Sequence, residues 1–231
     1  MLQEKLRSEG YMNIEQFLPI YKDLSKNEQE LIDTYAFTRD IKAGTIIHNS
    51  DSDCLGLTIV VSGQLRVYMQ SLEGREITLY RLLDLDVCLF TASCTMQSFQ
   101  NDITISAEKD STLIVIPANI YKQLISTSLS LATYANEIMA MHFSEVMWLL
   151  EQIIWKSFDK RLASFLVEES NLENTTSLHI THEKIANHLG TAREVVTRML
   201  KYFQNEGLVK LTRGQIEIIN KQVLRKLFLS T

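Results

Sequence analysis

Residues 181–211 read THEKIANHLGTAREVVTRMLKYFQNEGLVKL, two short helical patterns on either side of a Leu189-Gly190 turn. In the first, Thr181 suits the N-cap, Glu183 sits where the helix dipole favours an anion, and Ile185, Ala186 and Leu189 recur at helical spacing. Ala186 is small, as two closely crossing helices require, and Gly190 tolerates the backbone angles of a tight turn. In the second, predicted over 191–204, Thr191 suits the cap, and Val195, Val196, Met199, Leu200 and Phe203 form an apolar face. Asn205-Glu206-Gly207 ends that helix, with Gly207 suited to the left-handed position. Residues 208–211 and 215–219 then read as short strands joined through Arg213-Gly214. The arrangement is a helix-turn-helix followed by a hairpin wing.

The apolar face leaves Arg193, Glu194, Thr197 and Arg198 outward on one side of the second helix's first turns. In a helix-turn-helix that end enters a major groove of DNA. Arginine donates two parallel hydrogen bonds to guanine O6 and N7, glutamate accepts from cytosine N4, and threonine meets a thymine methyl or a phosphate. A glutamate facing a polyanion is otherwise costly, so its place here argues for base reading over plain charge attraction. Thr181, Thr191, Lys201 and Arg213 complete the expected DNA contacts. The competing reading is a solvated face with an internal Arg-Glu pair.

The 231 residues are enough for one large or two modest domains, and 45% hydrophobic with 22% charged residues is ordinary for a soluble globular protein. A net charge of −5 is unevenly placed: residues 159–231 carry 11 Lys and Arg against 8 Asp and Glu, so the segment holding the motif is the basic one. No apolar run reaches membrane-spanning length and the N-terminus MLQEKLRSEG lacks a signal-peptide core. Three cysteines, without disulfide spacing, point to the cytoplasm.

Near the N-terminus, Asn13 suits the cap of a short helix through Leu18, and Ser25-Lys26-Asn27-Glu28 has capping-box spacing. From Ala36 the pattern changes to short runs rich in Val, Ile, Thr and Tyr, over 37–42, 45–48, 57–61, 64–69, 76–82, 103–107 and 112–116. Ser62-Gly63 and Glu73-Gly74 mark tight turns between them. Many short strands so spaced predict a sandwich or barrel of jelly-roll type. Pro117 opens a short helix through Ile125, and a long helix without breakers follows Ser128. In it Leu131, Ala135, Ile138, His142, Glu145/Val146, Leu149, Gln152/Ile153 and Lys156 recur near a seven-residue spacing, which predicts a partner helix.

The run ITHEKIANHLGTAREVVTRMLKYFQNEGLVKLTRGQIEI resembles the C-terminal winged helix of the CRP/FNR family of bacterial transcription regulators. IKAGTIIHNSDS, LTIVVSGQLRVY and EGREITLYRLL are similar to that family's cyclic-nucleotide-binding-like barrel, and FDKRLASFLVEES to the first helix of its DNA-binding domain. The resemblance implies an α+β fold with a jelly-roll sensor domain at 1–127, a dimerisation helix and hinge at 128–158, and a winged helix-turn-helix domain at 159–231. It further implies a homodimer on a palindromic operator, Glu194 and Arg198 on the inner G:C pair of a TGA-like half-site, Arg193 on an outer guanine, and RNA polymerase as a further partner.

Family members that bind cyclic AMP hold it with a Gly-Glu pair and an Arg-Ser pair. Aligned on DITISAEKDSTLIVI, those positions fall at Leu89-Phe90 and Asn101-Asp102, so no response to a cyclic nucleotide is expected. A buried phosphate without its arginine would be poorly compensated. Cys88 and Cys94 occupy this region and read either as small apolar core residues or as a redox or effector-sensing pair. Haem and iron-sulfur binding are not favoured: beyond those two only Cys54 remains as a thiolate, and His48 and His142 read as solvated or satisfied. The expected function is therefore sequence-specific transcription regulation rather than catalysis, with the barrel as sensor or constitutive scaffold. The alternative is a cysteine-based redox enzyme or small-molecule-binding protein whose winged helix contacts protein; it lacks an assembled nucleophile, base and orienter.

Overall fold

A computed structural model describes residues 14–49, 55–91 and 103–229. The fold is α+β, and the chain divides into two compact units, one of residues up to Val67 with Arg81–His142, the other of Tyr68–Tyr80 with Phe143–Thr231.

The first unit begins with 3-10 turns at Ile14–Gln16 and Pro19–Asp23, then helix α1 (Lys26–Tyr35). The expected capping box is present. The Glu28 amide donates to Ser25 Oγ and the Ser25 amide donates to the Glu28 carboxylate at 2.7 Å, which holds that carboxyl below its ordinary range. Ser25→Ala is expected to cost about 1 kcal/mol, read as a lower denaturant midpoint; an unchanged midpoint would mean the cap is dispensable. Asn13 lies outside the described residues.

Among the described residues eight strands follow along the chain: β1 (Phe37–Ile41), β2 (Ile46–His48), β3 (Gly56–Ser62), β4 (Leu65–Gln70), β5 (Glu76–Leu82), β6 (Val87–Cys88), β7 (Ile103–Ala107) and β8 (Ser111–Pro117). They form two four-stranded sheets in the orders β1-β8-β3-β6 and β2-β7-β4-β5, the jelly-roll arrangement predicted from the strand spacing. In the first sheet Leu57 pairs with Ile116 and Ile59 with Ile114, and all four turn to the face that packs on helices. Their neighbours Thr58, Val60, Leu113 and Val115 are also fully buried, on the opposite face by strand alternation. Burial on both faces explains why β3 and β8 read as continuous apolar runs. The two-residue β6 was not legible in the sequence.

Helices α2 (Ala118–Thr127) and α3 (Leu129–Trp155) complete this part of the chain. Leu131, Ala135 and Ile138 of α3 belong to the same core as Leu18, Leu24, Ile32, Ile120, Tyr121 and Leu124. The first part of the heptad stripe therefore faces its own chain, because the N-terminal helices leave apolar surface for it to cover. Further along, α3 exposes Met147, Trp148, Leu150, Ile154 and Trp155, the last at 77% of its surface. An apolar band of that length is unusual for an isolated soluble chain. Among the described residues no helix is long and apolar enough to cross a membrane.

The second unit carries α4 (Phe158–Leu172), β9 (Ser177–Leu178), α5 (His182–Leu189), α6 (Arg193–Asn205), β10 (Val209–Thr212), β11 (Gln215–Ile218) and α7 (Lys221–Leu229). Ser157, extended at φ −64° and ψ 160°, separates α3 from α4. Leu162, Phe165 and Leu166 of α4 share one core with Ile185, Val196, Leu200, Phe203, Ile216 and Leu224. The wing is a three-stranded sheet of order β10-β11-β9 rather than a bare hairpin. Its third strand, β9, and helix α7 were not read from the sequence.

Candidate nucleic-acid interface

The interface is built on the α5-turn-α6 segment. Thr181 caps α5 as expected, its side-chain oxygen accepting from the Lys184 amide at 3.1 Å. Gly190 closes the helix at φ +65°, a left-handed conformation that favours glycine, and a Cβ there would press on the flexible end of Ile77 at 2.9 Å from Cδ1. The carbonyl of Ala186 accepts the Gly190 amide, and the Thr191 amide at 3.1 Å. The Thr191 amide thus belongs to the end of α5, and the N-cap of α6 is Ala192, whose carbonyl accepts the Val195 amide at 3.0 Å, without a side-chain cap. The expected Thr191 cap is corrected on that account, and α6 starts at Arg193 rather than 191.

Two other side chains brace the turn. Arg161 of α4 donates to the Leu189 carbonyl at 3.1 Å, satisfying a carbonyl that the end of α5 leaves open. His188 is buried, its ring tilted at 34° to that of Phe165 with centroids 5.3 Å apart, and its Nδ1 is 2.8 Å from the Thr78 hydroxyl of β5. Ile77 forms a β-bridge with Leu189. The turn is thus held by α4 on one side and by the β4–β5 hairpin segment of the same unit on another. Nothing in the local pattern foretold it, since Thr78 and His188 are 110 residues apart.

Along α6, Val196, Leu200 and Phe203 are fully buried, which fixes the helix's rotation about its axis. Arg193, Glu194, Thr197, Arg198 and Lys201 consequently line one shallow open concavity on the outer side. Arg193, Glu194, Arg198 and Lys201 are exposed, and among the described residues none forms an ion pair. The internal Arg-Glu pair of the competing reading is not formed. Thr197 is half-buried: its hydroxyl donates to the Arg193 carbonyl at 2.9 Å and lies 2.9 Å from His182 Nδ1. Burial, then the Arg193 charge, hold the His182 imidazole below its ordinary value. Arg213 is exposed at the tip of the wing, next to Gly214 at φ +75°.

A helix whose buried face leaves two arginines and a glutamate together at its N-terminal end has the chemistry of base reading. Residues 160–227 match the Crp-like helix-turn-helix domain family, and residues 38–128 the cyclic nucleotide-binding domain family. The chain is 57% identical to a solved CRP/FNR-family transcriptional regulator from Eubacterium rectale, over 93% of this chain and 100% of that one, with a TM-score of 0.92.

The chain belongs to the CRP/FNR family of transcriptional regulators.

Curated relatives of the chain carry diverse names. The electron transport regulator A of Shewanella oneidensis is 29% identical over 88% of this chain and 84% of its own length. The cyclic AMP receptor protein of Thermus thermophilus is 24% identical over 90% of this chain and 96% of its own.

The residues weighed as sensors are placed in part. Leu89 and Phe90, expected from the sequence at the family's Gly-Glu positions, are buried, and Leu89 belongs to the apolar core. Asn101, Asp102, Cys54 and Cys94 lie outside the described residues. Cys88 is fully buried on β6, and burial pushes its thiol up to about 11. The thiolate, which is the reactive form, is therefore scarce at neutral pH. In the folded protein at pH 7.5 Cys88 is expected to resist iodoacetamide and to react only after denaturation. Mass spectrometry of the labelled peptide checks this, and rapid native labelling would contradict it. His142 is buried with Nε2 3.5 Å from the Val87 carbonyl, and burial lowers the His48 imidazole pKa.

Proposed function

We propose that this regulator binds a palindromic operator as a homodimer, with α6 of each protomer in a major groove and the barrel domain as input. The observation that carries the reading is the row Arg193, Glu194, Arg198 on the first turns of α6, held outward by Val196, Leu200 and Phe203. Arg198 and Glu194 read the inner G:C pair of each half-site, and Arg193 an outer guanine. Thr181, Thr191, Lys201 and Arg213 flank this row and position the backbone of the duplex. The exposed apolar band of α3 supplies the surface for a second copy, and a two-fold dimer matches a two-fold operator.

The input is proposed to differ from a cyclic nucleotide, a reading supported by apolar, buried Leu89 and Phe90 where ribose contacts would be needed. Selection of bound sequences from a random DNA pool by the purified protein, reduced, oxidised and with cyclic AMP, tests the proposal. A palindrome with a TGA-like core, enriched regardless of cyclic AMP, is the expected result. A palindrome recovered only in the reduced or only in the oxidised state would move the input to the cysteines. No enriched sequence under any of these conditions would overturn the DNA-reading role.

A further inference from the structure

The hydrogen bonds of Thr197 divide its side chain into a spent half and a free half. Its hydroxyl has one proton, and that proton goes to the Arg193 carbonyl at 2.9 Å, the back-bond of a threonine within a helix. Toward His182 Nδ1, also at 2.9 Å, the Thr197 oxygen has only lone pairs to offer. The ring is therefore the donor, and the network assigns His182 the Nδ1–H tautomer. A hydroxyl so engaged has no proton left for a phosphate, for guanine N7 or O6, or for thymine O4. What Thr197 brings to the outer face is its γ-methyl, and among the residues lining that concavity it is the one without a charge. In the major groove the matching feature is the C5-methyl of thymine.

We infer that Thr197 reads a thymine methyl in each half-site and that His182, from the first turn of the neighbouring helix, is the positioning residue that holds it in the reading rotamer. The inference rests on the proposal that α6 enters the major groove, and narrows it to one base. Because a neutral Nδ1–H ring and a protonated ring both donate at Nδ1, the support His182 gives does not depend on its titration.

The test replaces each thymine of the selected operator, one at a time, by deoxyuridine, which removes only the methyl. With the natural protein, one position per half-site is expected to lose about fourfold in affinity, the gain from burying one methyl. Thr197→Ser keeps the hydroxyl and loses the methyl, so thymine and uracil become equivalent there. Thr197→Val keeps a methyl and retains the discrimination. His182→Ala blunts it, and His182→Asn, whose amide donates from nearly the place of Nδ1, restores it. If no position distinguishes natural protein from Thr197→Ser, or if His182→Ala weakens every sequence equally without touching the thymine-to-uracil ratio, the inference fails while the operator-binding reading stands. If no operator is selected at all, it is the parent reading that has failed.

Discussion

If α6 reads bases as proposed, Arg198→Ala and Glu194→Ala are each expected to reduce specific operator affinity by about 2–6 kcal/mol, taking roughly 1–3 kcal/mol per base contact and two half-sites. The thermal midpoint of the protein stays unchanged, because both side chains are exposed and form no ion pair among the described residues. Fluorescence anisotropy with operator and scrambled duplexes at one fixed salt concentration separates the outcomes. Loss on the operator with little change on scrambled DNA is the signature of base reading. Arg213→Ala and Lys201→Ala should behave differently, weakening both duplexes alike and lowering the salt slope, as phosphate contacts do. Operator affinity unchanged in both Arg198→Ala and Glu194→Ala would remove the basis for assigning α6 as the recognition helix.

Phe203→Ala acts through the other side of the same helix. Phe203 is fully buried in the core formed by α4, α5, α6, β11 and α7, beside Val196 and Leu200. Truncating such a ring costs about 3–5 kcal/mol, a large part of the roughly 5–15 kcal/mol that holds a domain folded. Chemical denaturation followed by circular dichroism should show the transition of this unit moved to markedly lower denaturant. Binding to every duplex should fall together, since a loosened core no longer fixes the rotation of α6. A loss under about 1 kcal/mol would mean the site collapses around the deletion far better than buried aromatic sites do.

Helix α6 and the barrel strands were readable because short-range rules govern them. Val196, Leu200 and Phe203 recur at helical period, Ser25 and Glu28 sit three apart, and Gly63, Gly190 and Gly207 mark turns that take positive φ. What escaped is long-range or very short. β6 and β9 have two residues each, too few for a period, and exist because β3 and β11 offer them an edge. The start of α6 moved from 191 to Arg193 because the first bonds of the helix, from the Val195 and Val196 amides, run to the Ala192 carbonyl, which makes Ala192 the N-cap. The Thr197–His182 bond crosses 15 residues and joins two helices, so neither helix's own pattern announces it. Of the set proposed to read DNA, the residue types and their common face were legible. The engagement of the Thr197 oxygen by His182 needed the neighbouring helix.

The composition of the first unit's core also sets an order in time. Leu18, Leu24 and Ile32 share that core with Leu131, Ala135 and Ile138, so its first and last residues close it together. A ribosome adding about 5–20 residues per second finishes the barrel strands before the side chains that seal their outer layer exist. Until the first turns of α3 have emerged, the part of this core that Leu131, Ala135 and Ile138 cover stays open to water. The shortest fragment able to complete this core on its own therefore has to run past Ile138, whatever point is chosen as the edge of the barrel.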